Sequence, residues 1–325
     1  MHSLIDRYRA RLPVSAGTPV ISLGEGSTPL LHAPRISERL GVELYLKWEG
    51  ANPTGSFKDR GMTVAISNAV ESGAHAVICA STGNTAASSA AYAARGGLTA
   101  VVLQPAGAVA SGKLAQARAL GARVLEVRGS FDEALSAARE LAARGSHVLV
   151  NSLNPDRVEG QKTAAFEIVE ELGATPDVLA LPYGGGGNLT AYARGFDESG
   201  AMPRFVAGEA SQRSSTVATA IRIAAPAHAV TAADAISRSH GEVVSLKDET
   251  ILDAWRELAQ HEGVFCEPAS AAGLAALGSA ELDSGSTVVC VVTGNGLKDP
   301  ETAARLSPEP VPVDPDPDAI EAASR

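Results

Sequence analysis

Between residues 75 and 181 short apolar runs alternate with helix-compatible runs at a steady spacing, and few folds accept that order. Ala76–Ala80, Thr99–Leu103, Val124–Val127, Val148–Val150 and Val178–Leu181 read as strands, while Asn84–Arg95, Lys113–Leu120, Phe131–Ala143 and Gln161–Leu172 read as helices between them. Repeated strand–helix units of this length predict an α/β chain with mostly parallel sheets covered on both faces. Gly96, Gly121 and Gly145 close three of the helices, where a left-handed residue is wanted. Leu44–Trp48, 205–208 and Thr287–Val292 add strands, and 248–262 and 268–278 add helices. No internal repeat is visible. The tail after Ser307 carries five prolines among several acids and is expected to be disordered.

With 325 residues, 45% of them hydrophobic, the chain can bury a large core and divide into two domains. A net charge of -10 argues against a nucleic-acid or anionic-membrane partner. No apolar run reaches the roughly 20 residues of a membrane helix, and the start of the chain lacks a signal peptide's apolar core. Cys79, Cys266 and Cys290 are widely spaced in apolar surroundings, which suits free thiols in a reducing cytoplasm. The seven histidines show no metal-ligand spacing, so no metal is expected.

Three glycine-rich segments and one lysine carry the chemical signal. Pro53 and Gly55 force a turn ahead of a helical run that starts near Phe57, which puts Lys58 at a loop-to-helix junction. A lysine there is either a solvated cation or an amine aimed into a cleft to hold pyridoxal phosphate as a Schiff base. Gly184, Gly185, Gly186, Gly187 and Asn188 lie between a strand and a helix. Their bare amides suit a phosphate cradle, with a flexible turn as the other reading. Ser81-Thr82-Gly83-Asn84-Thr85 follows a strand and suits either an anion or an ordinary helix cap. Thr293-Gly294-Asn295-Gly296-Leu297-Lys298-Asp299 ends the last strand. Loops beyond strand C-termini are where open α/β sheets bind ligands, so the joint pattern is more specific than any one member.

Ser56-Phe57-Lys58-Asp59-Arg60, the Ser81–Thr85 segment, Phe265-Cys266-Glu267-Pro268-Ala269-Ser270 and the Thr293–Asp299 segment together resemble threonine synthase, a pyridoxal-phosphate enzyme of the tryptophan-synthase-β fold, fold type II. The resemblance covers roughly residues 20–305. It implies a larger cofactor domain (1–42 and 153–306), a smaller mobile domain carrying Lys58 (43–152), and a homodimer. Lys58 would carry the cofactor and shuttle protons, and Asn84 would bond its 3′ oxygen. The four glycines and Asn188 would hold its phosphate, and Thr293 would face the pyridine nitrogen. A neutral hydroxyl there tempers the electron sink. The implied substrate is a small phosphorylated amino acid, O-phospho-L-homoserine. Lys113, Asn151, Ser152 and Arg157 match the family's positions for its phosphate, while Ser81, Thr82 and Thr85 would hold its carboxylate side. Phe131 would flank the ring.

Three segments depart from the family pattern. Gly185 replaces an asparagine, so that the loop looks more like that of serine/threonine dehydratases. Asn295 replaces a histidine, and Gly208-Glu209-Ala210-Ser211-Gln212 does not follow the usual run. These leave a related dehydratase, or a replacement enzyme for another activated amino acid, as the alternative reading.

Overall fold

The apolar runs pair into two separate sheets in the computed structural model, which describes residues 3–107 and 112–324. In chain order the strands are β1 (Leu30–His32), β2 (Glu43–Trp48), β3 (Ala76–Ala80), β4 (Thr99–Pro105), β5 (Arg123–Val127), β6 (Val148–Leu149), β7 (Val178–Pro182), β8 (Arg204–Ala210), β9 (Glu242–Leu246) and β10 (Thr287–Val292). Six of them form one sheet in the order β1-β2-β10-β7-β8-β9, and four form the other in the order β5-β4-β3-β6. Every pairing is parallel except that of β1 with β2.

Both sheets are covered on both faces, as the unbroken apolar strands require. Along β10, Val288, Cys290 and Val292 enter one core while Val289 and Val291 enter another. Along β3, Val77 and Cys79 face one core, Ile78 and Ala80 the next. A period of two with both phases apolar leaves a strand no solvent face.

The chain leaves the larger sheet after β2 through helix Lys58–Glu71 and returns from the smaller sheet through helix Pro155–Leu172. These two helices cross where both lack side chains. A Cβ on Gly160 would stand 2.0 Å from the Arg60 carbonyl oxygen, and one on Gly61 would stand 2.4 Å from that of Arg157. A buried ion network pins the crossing. Arg60 bonds both oxygens of Glu49 at 2.7 Å and those of Glu167 at 2.6–2.7 Å, while Lys47 on β2 lies 3.1 Å from Glu167 and 2.7 Å from Glu171. Burial alone would raise the pKa of Glu167, but Arg60 and Lys47 pull it down to about 2.

Several expectations need correction. Strand β2 pairs with β10, so residues 43–48 belong to the six-stranded sheet and not to the smaller unit. The helix expected from Gln161 begins at Pro155, because Asn154 caps it by accepting from the Asp156 amide and proline suits its first turn. β1 and β9, two edge strands of the larger sheet, were not anticipated. Gly121 and Gly145 are left-handed, but Gly96 is not (φ -84°), and Gly97 takes that role with φ +71°. The proline-rich tail carries a short helix, Pro317–Ala323, with no buried residue.

Candidate active site

The C-terminal ends of β2, β3, β6, β7 and β10 carry the lysine turn, the Ser81–Thr85 segment, Asn151 and Ser152, the glycine loop and Thr293, respectively. Lys58 stands at the start of its helix on a turn clamped from several sides. Gly55 takes φ +85° and its amide donates to Asn52 O at 2.7 Å. The Phe57 amide donates to Thr293 O at 3.1 Å and the Asn295 amide to Gly55 O at 2.9 Å, so the turn is laced to the loop after β10. Asp59 accepts from the Thr54 amide and hydroxyl (2.7 and 2.6 Å) and from the Ser88 hydroxyl (2.6 Å). Thr54 O in turn accepts from Lys298 Nζ at 2.8 Å.

Lys58 is half-buried, with Nζ 4.3 Å from the centre of the Phe57 ring. Dehydration of the ammonium, reinforced by the Arg157 guanidinium and opposed by Glu267, lowers its pKa to about 7. A lysine lowered in this way is about half unprotonated, and so available as a nucleophile, at neutral pH. The rate at which cofactor-stripped protein captures pyridoxal phosphate is therefore expected to rise with pH through about 7 and then level off. Arg157→Met is expected to move that midpoint upward. A midpoint above about 9, near that of an exposed lysine, would contradict this account; the growth of the visible band reads it.

Arg157 is wholly buried. Nη1 donates to Val150 O at 2.7 Å, whereas Nε and Nη2 have no partner among the described residues. Burial lowers even its pKa, to about 10, against the opposing pull of Cys79 and Asp59. A buried cation with unused donors is costly unless an anion completes it.

The glycine loop is shaped by its neighbours. A Cβ on Gly186, which has φ +79°, would stand 3.0 Å from His228 O, and one on Gly184 would stand 3.1 Å from Ile221 Cα. Gly187 opens helix Gly187–Ser199, so unpaired amides face out along its axis. The side-chain Nδ2 of Asn188 is buried without a partner among the described residues. His228 ties this loop across the cleft: its amide donates to Gly185 O at 3.0 Å and its Nε2 to Ser152 O at 2.8 Å. Thr293 pairs its hydroxyl with that of Ser270 at 2.9 Å. Asn84 donates to Glu267 at 2.7 Å and leaves its buried Oδ1 without a partner among the described residues.

The family described as pyridoxal-phosphate dependent enzyme matches residues 21–294. The chain is 50% identical over 320 residues to the threonine synthase of Halalkalibacterium halodurans, covering 92% of this chain and 90% of that protein. It is 51% identical over 337 residues to the threonine synthase of Mycobacterium tuberculosis, covering 96% and 93%. The chain belongs to the threonine synthase family. Its fold is shared more widely: the structure of maize serine racemase aligns with TM-score 0.77 at 24% identity over 93% of this chain and 95% of that one.

The cofactor of this threonine synthase family member is pyridoxal phosphate, and the residues present fit it. The glycine cradle admits a phosphate where side chains would fill it. The orphaned atoms of Asn84 and Asn188 lie on the two loops assigned to its ring and phosphate. Other expected residues sit differently. Asn151 uses its amide on Ala80, accepting at 3.0 Å and donating at 2.9 Å, so it extends the end of β3. Ser81 caps locally, accepting from the Gly83 amide at 3.1 Å, and Thr82 and Thr85 are half-buried. Lys113 is buried and paired with Glu267 at 2.6 Å. Phe131 follows the edge strand β5 and is 45% exposed, so the expected ring contact is not supported.

Sequence reasoning passed over His228 and gave Glu267 no role. His228 carries no local signal. Glu267 does, as a single acid between Cys266 and Pro268 in an apolar run. Among the described residues, no group of three or more His, Cys, Asp or Glu side chains could hold a metal, and no helix is long and apolar enough to cross a membrane.

Proposed function

We propose that the protein converts O-phospho-L-homoserine and water to L-threonine and phosphate by γ-elimination and hydration at the β carbon. The observation that carries this reading is Arg157, a fully buried guanidinium with two unpartnered nitrogens whose charge lowers the pKa of Lys58. A phosphate bearing two negative charges suits that donor set, since arginine binds phosphate with two parallel bonds.

Bound pyridoxal phosphate supplies an electron sink at the substrate's α carbon. Lys58, about half unprotonated at pH 7, takes protons from the α and β carbons and returns them at the γ and α carbons, while water supplies the β-hydroxyl. Asn84, Gly184, Gly185, Gly186, Gly187, Asn188 and Thr293 hold the cofactor. Arg157 and Lys113 bind the substrate phosphate with Ser152, while Asn151 acts by fixing that loop to Ala80. Ser81, Thr82 and Thr85 take the α-carboxylate side at the start of helix Asn84–Arg95. Closure of the smaller domain excludes water until the hydration step. The reading includes a cytoplasmic homodimer; the three buried free cysteines agree with a reducing compartment.

A dehydratase reading is favoured by Gly185 alone. A Cβ there would meet only Ile223 Cδ1, at 3.4 Å, so the missing amide is a matter of sequence and not of crowding. An amino-acid panel separates the two. Phosphate release from O-phospho-L-homoserine is expected to exceed ammonia release from L-threonine or L-serine by at least about 100-fold in kcat/KM, roughly 2.7 kcal/mol of transition-state preference. Faster deamination of L-threonine, with no phosphate released, would overturn the synthase reading.

A further inference from the structure

Lys113 is expected to bind a substrate phosphate, yet in this structure its charge is already answered. Glu267 Oε2 lies 2.6 Å from Lys113 Nζ, and both side chains are almost fully buried, at 1% and 4% exposure. The other carboxylate oxygen accepts from Asn84 Nδ2 at 2.7 Å. Both partners belong to helices beside the four-stranded sheet, whereas Glu267 comes from the loop beneath β10 of the six-stranded sheet.

The two ends of this pair differ in freedom. Glu267 is held by its backbone: its amide donates to Gly294 O at 3.1 Å, its carbonyl accepts from Ser270 at 2.9 Å, and Trp255 Nε1 anchors Cys266 O at 2.6 Å. Its carboxylate fits only because residue 294 is glycine, where a Cβ would stand 2.3 Å from Oε1. Lys113 reaches the carboxylate on a flexible stem, and its further contact is a long one, 3.4 Å to the Thr219 hydroxyl. A buried ammonium must have a partner at all times. A fixed anion and a swinging cation make a pair in which the cation can change partners.

We propose that Glu267 is a resident counter-anion: it holds Lys113 in the substrate-free enzyme and yields that ammonium to the phosphate of the incoming substrate. The proposal rests on the reading of Lys113 as a phosphate ligand and deepens it. Glu267 keeps the buried ammonium tolerable before substrate arrives, and it sets the threshold an anion must exceed to enter. A weakly charged ligand does not displace it, whereas a phosphate that also engages Arg157 does.

The test measures inorganic phosphate binding to the holoenzyme by titration calorimetry in the parent and four variants. Glu267→Gln removes the competing charge and is expected to tighten phosphate at least tenfold. Glu267→Asp, which keeps the charge but withdraws it by one methylene, is expected to tighten it to a smaller extent and serves if the glutamine form folds poorly. Lys113→Met alone is expected to weaken phosphate binding, and adding Glu267→Gln to it is expected to give no gain. Unchanged affinity in both Glu267 variants, with Lys113→Met still weakening, would overturn the proposal and leave the phosphate-ligand reading intact. A gain that persists in the Lys113→Met background would also overturn it, because Glu267 then acts through the general field. Unchanged affinity in Lys113→Met alone would remove the reading on which the proposal stands.

Discussion

Lys58→Ala is expected to lower turnover of O-phospho-L-homoserine by about 10^2–10^4-fold, the range set by loss of a positioned acid–base group. The protein should remain folded. Neither neighbouring lysine can take over. Lys113 is held by Glu267 at 2.6 Å, and Lys298 donates to Thr54 O at 2.8 Å and to Gln116 at 2.5 Å. Each is engaged by its own partner, and only Lys58 combines a clamped turn with an amine lowered to about pH 7. Stability should change little, since removing a dehydrated ammonium takes away a cost along with its contact to Phe57. Phosphate release under saturating substrate, with a melting curve beside it, checks both parts. Residual activity within tenfold of the parent would mean that another group moves the protons.

Arg60→Met is expected to be the most damaging substitution outside the chemistry, at about 3–5 kcal/mol of stability. Arg60 makes four bonds to the carboxylates of Glu49 and Glu167, all between 2.6 and 2.7 Å, and every partner is buried. Removing the guanidinium strands those charges; of the two, Lys47 reaches Glu167, at 3.1 Å, and not Glu49. The network also sets the start of the helix that bears Lys58, so cofactor occupancy should fall with stability. For a chain of this length a loss this size corresponds to a drop in melting temperature of roughly 4–7 degrees. A drop of only a degree or two, with full occupancy, would show that the network contributes little.

The two functions of the Ser56–Arg60 segment were unequally legible. Lys58 could be picked out because a turn before a helix aims a side chain, and that is a local property. The role of Arg60 depends on Glu167, 107 positions later, and no local pattern announces a partner at that distance. The same holds for the helix crossing. A glycine within each helical run hints at close approach, but only the fold says that Gly61 and Gly160 meet. Strands buried on both faces were readable because they are apolar in both phases. The edge strands β1 and β9 were not, since β1 is three residues long with none buried and β9 alternates half-buried and exposed positions up to a single buried residue. Asn154-Pro155 did carry a readable start signal, a capping residue followed by proline, and it was passed over in favour of the more apolar run after Gln161.

Where the bonds break and where water enters decide the reaction. O-phospho-L-homoserine should be turned over in water enriched in oxygen-18, and the products examined by mass spectrometry. Elimination of phosphate followed by hydration predicts heavy oxygen in the β-hydroxyl of L-threonine, none in the phosphate, and the two products in equal amounts. Heavy oxygen in the phosphate, with homoserine as the other product, would mean simple hydrolysis at phosphorus and would contradict the roles given to Lys58 and Arg157.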